Sequence, residues 1–227
     1  TPRLVHDKFG QVRKIPKNSG NKIKFRRVES FTAATTPLTE GTPPAGQDMT
    51  KTDMTFTLAQ YGDFCKFTDM VTFTNQDPVL TELAEVMGEQ MGNTLDQIYR
   101  EVLVAGTAVR YANAVATRNA IITKISQADL EKVNRQLRRN NAEFIKPQIN
   151  ASGNVATVGI RMSFFAIIHP DTIVDLEAIT GYRSVTEYAS QTGVMEGEEG
   201  AYKNIRFVSS TNAKIWADAG GTAVTNS

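Results

Sequence analysis

The chain has 227 residues, 41% of them apolar, and a formal charge of +1. That length fits one large domain or two small ones, and the apolar content excludes a chain disordered throughout. The longest apolar runs, such as residues 164–168, are far too short to cross a bilayer, so no membrane partner is expected. Cys65 is the only cysteine, which excludes an intrachain disulfide and a cysteine-cluster metal site. The two histidines, His6 and His169, lack a ligand-like spacing. No metal and no cofactor is therefore expected.

The charge is unevenly spread. Residues 1–30 hold nine Lys and Arg against Asp7 and Glu29, whereas the remainder holds sixteen basic and twenty-two acidic residues. A basic arm on an acidic body can be a solvated tail, can dock on a neighbour's body, or can touch a polyanion. Residues 1–21 show Pro, Gly, Lys and Ser with little periodicity and read as that arm. Residues 22–29 alternate, with Ile23 and Phe25 on one face, and read as a strand. Residues 33–47 collect Pro37, Gly41, Pro43, Pro44 and Gly46 and read as a long loop tip. Alternation resumes over 52–58 with Met54, Phe56 and Leu58, and continues over 61–71 with a break at Gly62. Together these predict a two-stranded finger. Two strands rarely hold themselves in water, so residues 1–74 need a cover, and the economical cover is another copy of the chain.

Asp77-Pro78 is a helix start, with Asp as cap and Pro at the first position. The stripe Leu80, Leu83, Ala84, Met87, Met91, Leu95, Ile98, Val102 and Ala105 predicts one helix over 77–105, ending at Gly106. Met87 and Met91 read as core filler. Gly88 and Gly92 inside it imply close packing or a bend. Residues 108–124 read as a connector. Ser126 and Asp129 form a capping-box pattern ahead of a second helix over 126–140, whose apolar face is Leu130, Val133 and Leu137. Residues 144–159 read as a loop or loose hairpin, 162–168 as a buried strand, and 171–179 as a short helix capped by Asp171. Residues 185–189 read as a helical turn, 193–200 as an acidic glycine-rich loop, 205–208 and 213–217 as short strands, and 220–227 as loop.

No constellation carries catalysis. His169 and Asp171 have no nucleophile on a sharp turn to serve. They read as a ring at a strand end and a helix cap. Glu196, Glu198 and Glu199 lack the spacing of a calcium loop and read as solvated acids. Arg135, Arg138 and Arg139 at a helix C-terminus are explained by the helix dipole and solvent. The expectation is a non-enzyme without a small-molecule substrate.

Several segments, in order along nearly the whole chain, resemble one family. They are Thr35-Thr36-Pro37-Leu38-Thr39-Glu40-Gly41, Gln60-Tyr61-Gly62-Asp63-Phe64, Asp77-Pro78-Val79-Leu80 and Gly88-Glu89-Gln90. Val102-Leu103-Val104-Ala105-Gly106-Thr107, Ile168-His169-Pro170-Asp171, Glu187-Tyr188-Ala189 and Ile205-Arg206-Phe207-Val208 extend the set. The chain resembles the N4-like tailed-phage major capsid proteins. The resemblance implies an α+β chain of the Hong Kong 97-type (Johnson) fold: an N-terminal arm (1–21), an extended β-hairpin loop (22–74), a peripheral domain (75–125) with a spine helix (77–105), and an axial domain (126–227). With few strands, that axial domain is expected to be incomplete at its C-terminal end.

The function implied is self-assembly into an icosahedral head shell around packaged phage DNA, in a virion built in the host bacterial cytoplasm. Implied partners are further copies in pentamers and hexamers, DNA at the inner wall, and portal, scaffolding or decoration proteins. Ile23, Phe25, Leu38, Met54, Phe56 and Leu58 would meet a neighbouring subunit. Arg3, Lys8, Arg13, Lys14 and Lys17 would meet a neighbour or DNA. The alternatives are a nanocompartment shell protein of the same fold, and a nucleic-acid-binding module led by the basic arm.

Overall fold

The structure is a computed structural model that describes residues 4–8, 10, 14–17, 20–66, 78–150, 159–216 and 220–221. The chain divides into two compact units, one formed by Thr1–Gly10 with Thr72–Ser227 and the other by Gln11–Val71.

The smaller unit is built on one hairpin. Strands β1 (Lys22–Val28) and β2 (Lys51–Thr57) pair antiparallel, with Ile23 opposite Phe56 and Phe25 opposite Met54. Directly paired residues share a face, so the alternation seen in the sequence becomes one apolar side. On the other side Arg26 donates to Asp53 at 2.8 Å. Pairing continues past the strands, where the Glu29 N–H donates to the Thr50 carbonyl at 3.1 Å. The Gln47 amide then takes the place of a strand residue. Its oxygen accepts from the Thr32 N–H and its nitrogen donates to the Thr32 carbonyl, each at 2.9 Å. A turn in which the Thr42 N–H donates to the Thr39 carbonyl closes the tip, with Gly41 at φ 79°, a conformation glycine adopts without steric cost. Residues 58–66 carry no strand, and the remainder of the stretch expected over 61–71 lies outside the described residues.

The larger unit holds helices α1 (Val79–Val104), α2 (Gln127–Arg139) and α3 (Ile173–Glu177). Its sheet is built from β3 (Phe164–Ile168), β4 (Tyr182–Ser184), β5 (Glu198–Tyr202) and β6 (Ile205–Ser209), in the order β3-β6-β5-β4. β3 runs parallel to β6, and the other pairs are antiparallel. Every residue of β6 is buried, as suits a central strand covered on both faces. Ile205 and Phe207 join Tyr202 on one face, against Leu130 of α2 and Leu176 of α3. The other face is closed in two patches. Ala201 packs with Ile149, Ile160 and Tyr188. Val208 packs with Met195 and with Val5 from the chain's beginning. Helix α2 starts with the expected capping box, in which the Ser126 hydroxyl accepts from the Asp129 N–H and the Asp129 carboxylate accepts from the Ser126 N–H. Isolated antiparallel bridges at Lys146–Ser163 and Ile149–Ile160 make the loose pairing expected before β3.

Three local expectations are corrected. Asp171 does not cap α3. His169 caps the preceding 3-10 turn instead, its Nδ1 accepting from the Asp171 N–H at 3.3 Å. Residues 213–216 form no strand, because the chain turns at Ser210–Ala213. The acidic stretch before residue 200 is only partly solvated. Glu198 is buried, accepting from the Tyr188 hydroxyl at 2.8 Å and the Met195 N–H at 2.9 Å. Its partner is Arg206, fully buried, which lies 3.7 Å away and donates to the carbonyls of Gly193 and Pro147 at 3.0 and 2.9 Å. Burial, with the bond to Glu198 second, pushes the Tyr188 hydroxyl pKa up. A buried ion pair is costly unless its polar atoms are bonded; the carbonyls of the 147 and 193 loops serve the two Nη atoms, while Arg206 Nε faces Glu198 at 3.7 Å without a hydrogen bond.

Gly200 is required by space. A Cβ there would collide with the Tyr182 hydroxyl and the Arg183 carbonyl of the adjacent strand. Gly200→Ala is expected to destabilise the larger unit by about 2 kcal/mol. Gly88→Ala, where a Cβ meets nothing within 4 Å, should stabilise it by up to about 1 kcal/mol. Melting temperatures of the two variants, moving in opposite directions, check both.

Candidate assembly surface

Helix α1 is 26 residues long, and Asp96 is its only buried residue. This inverts the sequence expectation. The Asp96 carboxylate Oδ1 accepts from the N–H groups of Val5 and His6, at 3.0 and 2.9 Å. Its Oδ2 is 2.9 Å from His6 Nδ1 and accepts from Asn212 Nδ2 at 2.9 Å. Asn212 also donates to Asn93 Oδ1 at 2.8 Å, and its carbonyl accepts from Arg100 Nη1 at 2.8 Å. One turn on, Lys214 pairs with Glu101 at 2.8 Å. Gly92 lets Leu4 approach, since a Cβ there would lie 3.0 Å from Leu4 Cδ1. Burial pushes the Asp96 pKa up, but hydrogen bonds from Asn212, His6 and Val5 together outweigh it, and the carboxyl sits below its ordinary value.

At about 100° per residue, positions 92, 93, 96 and 100 share one side of α1, and the apolar stripe falls on the opposite side. Leu80, Met91 and Val102 are accordingly 53%, 66% and 69% exposed, while Leu83, Met87 and Ile98 are half-buried. Met91 is therefore not core filler. The period identified an amphipathic helix but could not say which face the chain itself covers. The clue was a short acid between small and amide residues, Gly92-Asn93 and Asp96.

In the smaller unit, Ile23, Phe25, Met54, Phe56 and Leu58 lie along one face of the hairpin. Leu58 is placed there by its N–H bond to the Asn21 carbonyl. Phe25 and Phe56 meet edge to face with centroids 5.6 Å apart. Met54, Phe56 and Leu58 remain half-exposed. Leu38, 75% exposed, stands apart at the tip. Of the basic residues, Lys8 pairs with Glu196 at 2.9 Å in the larger unit, and Lys14 and Lys17 are exposed in the smaller one. Arg3 and Arg13 lie outside the described residues. The beginning of the chain is not wholly a free arm, because Val5 is 1% exposed and part of the core.

Among the described residues, no group of three His, Cys, Asp or Glu could hold a metal ion. No described helix is long and apolar enough to cross a membrane. The chain instead offers apolar side chains on a hairpin and a helix, both uncovered.

The mixed helix-and-sheet fold is that of a phage capsid protein. It is similar to the solved capsid of the cyanophage P-SCSP1u with a TM-score of 0.62 and 15% identity, over 100% of this chain and 68% of that one. At this identity the likeness is one of fold. The family follows from the sequence profile of the phage capsid proteins, which matches residues 51–226. The chain belongs to that family, and is a structural protein of a bacteriophage virion. A comparison with curated proteins found no match.

Asp96→Ala should free Val5 and His6 from α1 and leave their N–H groups without a partner, a cost of about 2–3 kcal/mol. A depressed carboxyl pKa contributes stability that is fully present above the unfolded value of about 4 and is lost as pH falls through the folded value. Amide exchange at Val5 and His6 should therefore be slow in the wild type near neutrality. It should accelerate as pH drops below about 4, after correction for the intrinsic rate, and be fast at every pH in the variant.

Proposed function

We propose that this chain is a major capsid protein, N4-like and of the Hong Kong 97-type fold, whose copies close into an icosahedral head shell around packaged phage DNA. The observation that carries this reading is the apolar face of the hairpin, where Met54, Phe56 and Leu58 are exposed beside the half-buried Ile23 and Phe25, in a chain that belongs to a capsid family. On this reading residues 22–74 form the extended loop, laid over the neighbouring copy. α1 is the spine of a peripheral domain, and the sheet and α2 belong to the axial domain.

The energetics fit a shell. Covering a half-exposed apolar side chain contributes roughly 1 kcal/mol, so one hairpin contributes a few. Contacts that weak are reversible singly and hold firmly when repeated around closed rings. Five- and six-fold rings from one sequence need the hairpin to reorient at its base, where Gly20 has φ 80°. Lys14 and Lys17 are available to a neighbour's acidic surface or to DNA at the inner wall. Portal, scaffolding or decoration proteins would complete the particle, assembled in the host cytoplasm.

Removing residues 32–50 tests the reading. The shortened chain should be soluble, with unchanged helix content by circular dichroism, and should form no closed particles by electron microscopy. Normal shells from it would sink the proposal. A finer variant, Met54→Ser with Phe56→Ser, should keep the larger unit's melting temperature and raise the concentration needed for assembly by about tenfold or more.

A further inference from the structure

Two charged stripes in the larger unit are left largely without ion pairs among the described residues. The first lines a cleft of about 1080 Å³ beside α2. Lys132, Arg135, Arg138 and Arg139 of α2 face Arg161, Arg183 and Lys203 across it. The lone acid in the lining, Glu131, is taken by Lys203, and Arg183 is paired with Glu187 at 3.1 Å. The other five cations make no salt bridge and no side-chain hydrogen bond among the described residues. The rest of the lining is mostly small, with Ala128, Gly159, Gly181 and Ala201 beside Ile160 and Asn204, so another backbone can approach closely. Asn134, on the same wall, is 9% exposed and its Oδ1 has no hydrogen-bond partner. Polar groups so buried are almost always bonded, which marks this wall as unfinished in a single chain.

The second stripe lies on α1. Glu82, Glu85 and Glu89 are exposed and make no ion pair among the described residues. They fall on the side of the helix that, from Gly92 onward, holds the body through Asp96. The acidic ridge is the same side continued beyond the docked part.

The stripes share one spacing. Glu82, Glu85 and Glu89 stand at i, i+3 and i+7, and so do Lys132, Arg135 and Arg139. Each spans about 10.5 Å at 1.5 Å per residue. We infer that the acidic ridge of α1 in one copy seats in the basic cleft of α2 in the next, in a head-to-tail contact separate from the hairpin's. Both surfaces exist on every chain and differ from each other, so the contact is heterologous and propagates around a ring. A nucleic-acid backbone would also meet the cations. It has no need of a lining of small residues or of a matching acidic stripe, so the observations favour a second copy. The inference rests on the shell reading for its setting.

The test is a charge exchange in the full-length chain. K132E/R135E/R139E should raise the concentration needed for assembly by about tenfold or more, as should E82K/E85K/E89K, with melting temperatures unchanged. The chain carrying all six substitutions should assemble again. If the acidic cleft variant misfolds, K132Q/R135Q/R139Q provides the same loss. Assembly unaffected by either triple, or no rescue in the six-fold variant, overturns the inference. So does rescue of E82K/E85K/E89K by K22E/K24E/R27E on the hairpin, which would give the ridge a different partner. Particles of normal yield that have lost nucleic acid, read from their ultraviolet absorbance ratio, would assign the cleft to phosphate and also overturn it. The shell reading fails separately, if the wild type forms no closed particle. The contact is then read by sedimentation of the wild-type oligomer, which the triples should dissolve and the six-fold variant restore.

Discussion

The buried carboxylate of Asp96 is the interaction on which the arrangement of the larger unit depends. It gathers Val5 and His6 from the start of the chain, α1 from its middle and Asn212 from its end. An unpaired buried carboxylate would be prohibitive. Four donors make it favourable, and they also make it exacting, because three come from Val5 and His6 and the fourth from Asn212, so the three segments must already lie together. The consequence is geometric. A helix held by its polar side must turn its apolar side outward, and Leu80, Met91, Leu95 and Val102 are exposed as a result. The apolar surface of α1 is thus produced by a polar contact.

A second consequence concerns the sheet. β6 is buried on both faces, yet among the described residues α-helices pack against one face alone, through Leu130 and Leu176. The opposite face is closed by irregular chain: the 185–195 stretch, the bridge at Ile149 and Ile160, and Val5. Irregular segments bring unsatisfied backbone groups with them. Arg206 answers that need, rising from the central strand to donate to the Gly193 and Pro147 carbonyls. Asp96 then fixes Val5 in place from outside. Core and surface are linked through two adjacent residues, Val5 in the sheet's core and His6 against α1.

Much of this was legible in the sequence where a local rule decides. Ser126 with Asp129, the alternation around Phe25 and Phe56, and the apolar run at Phe164–Ile168 each become the element they suggest. What was not legible depended on long-range partners. Asp96 reads as one more acid on a polar face until residues ninety positions earlier and more than a hundred later arrive beside it. Glu198 reads as a member of an acidic loop until Tyr188 and Arg206 enclose it. Two glycines of α1 look alike in the sequence, but Leu4 lies against Gly92 and nothing lies against Gly88. His169 takes the capping role expected of Asp171, because a 3-10 turn that contains Asp171 intervenes before α3. Of the proposed contact residues, the sequence placed five on one hairpin face, and the pairing register brings those five together. It could not show that α1 contributes a second apolar surface, since periodicity is silent about which face a chain covers for itself.

On the proposed reading, stability and assembly draw on different residues. The larger unit is secured by Asp96, Arg206 and the sheet core, none of which is accessible once folded. The surfaces available to neighbours are the hairpin's apolar face, the outward stripe of α1, and the charged stripes of α1 and α2. Apolar contacts are non-directional and tolerate sliding, whereas charges at fixed helical spacing define register. On the proposed reading, a chain that adopts slightly different angles in different rings would benefit from that division. The apolar hairpin would supply attraction that survives reorientation, and the charge stripes would supply the register that prevents a wrong closure.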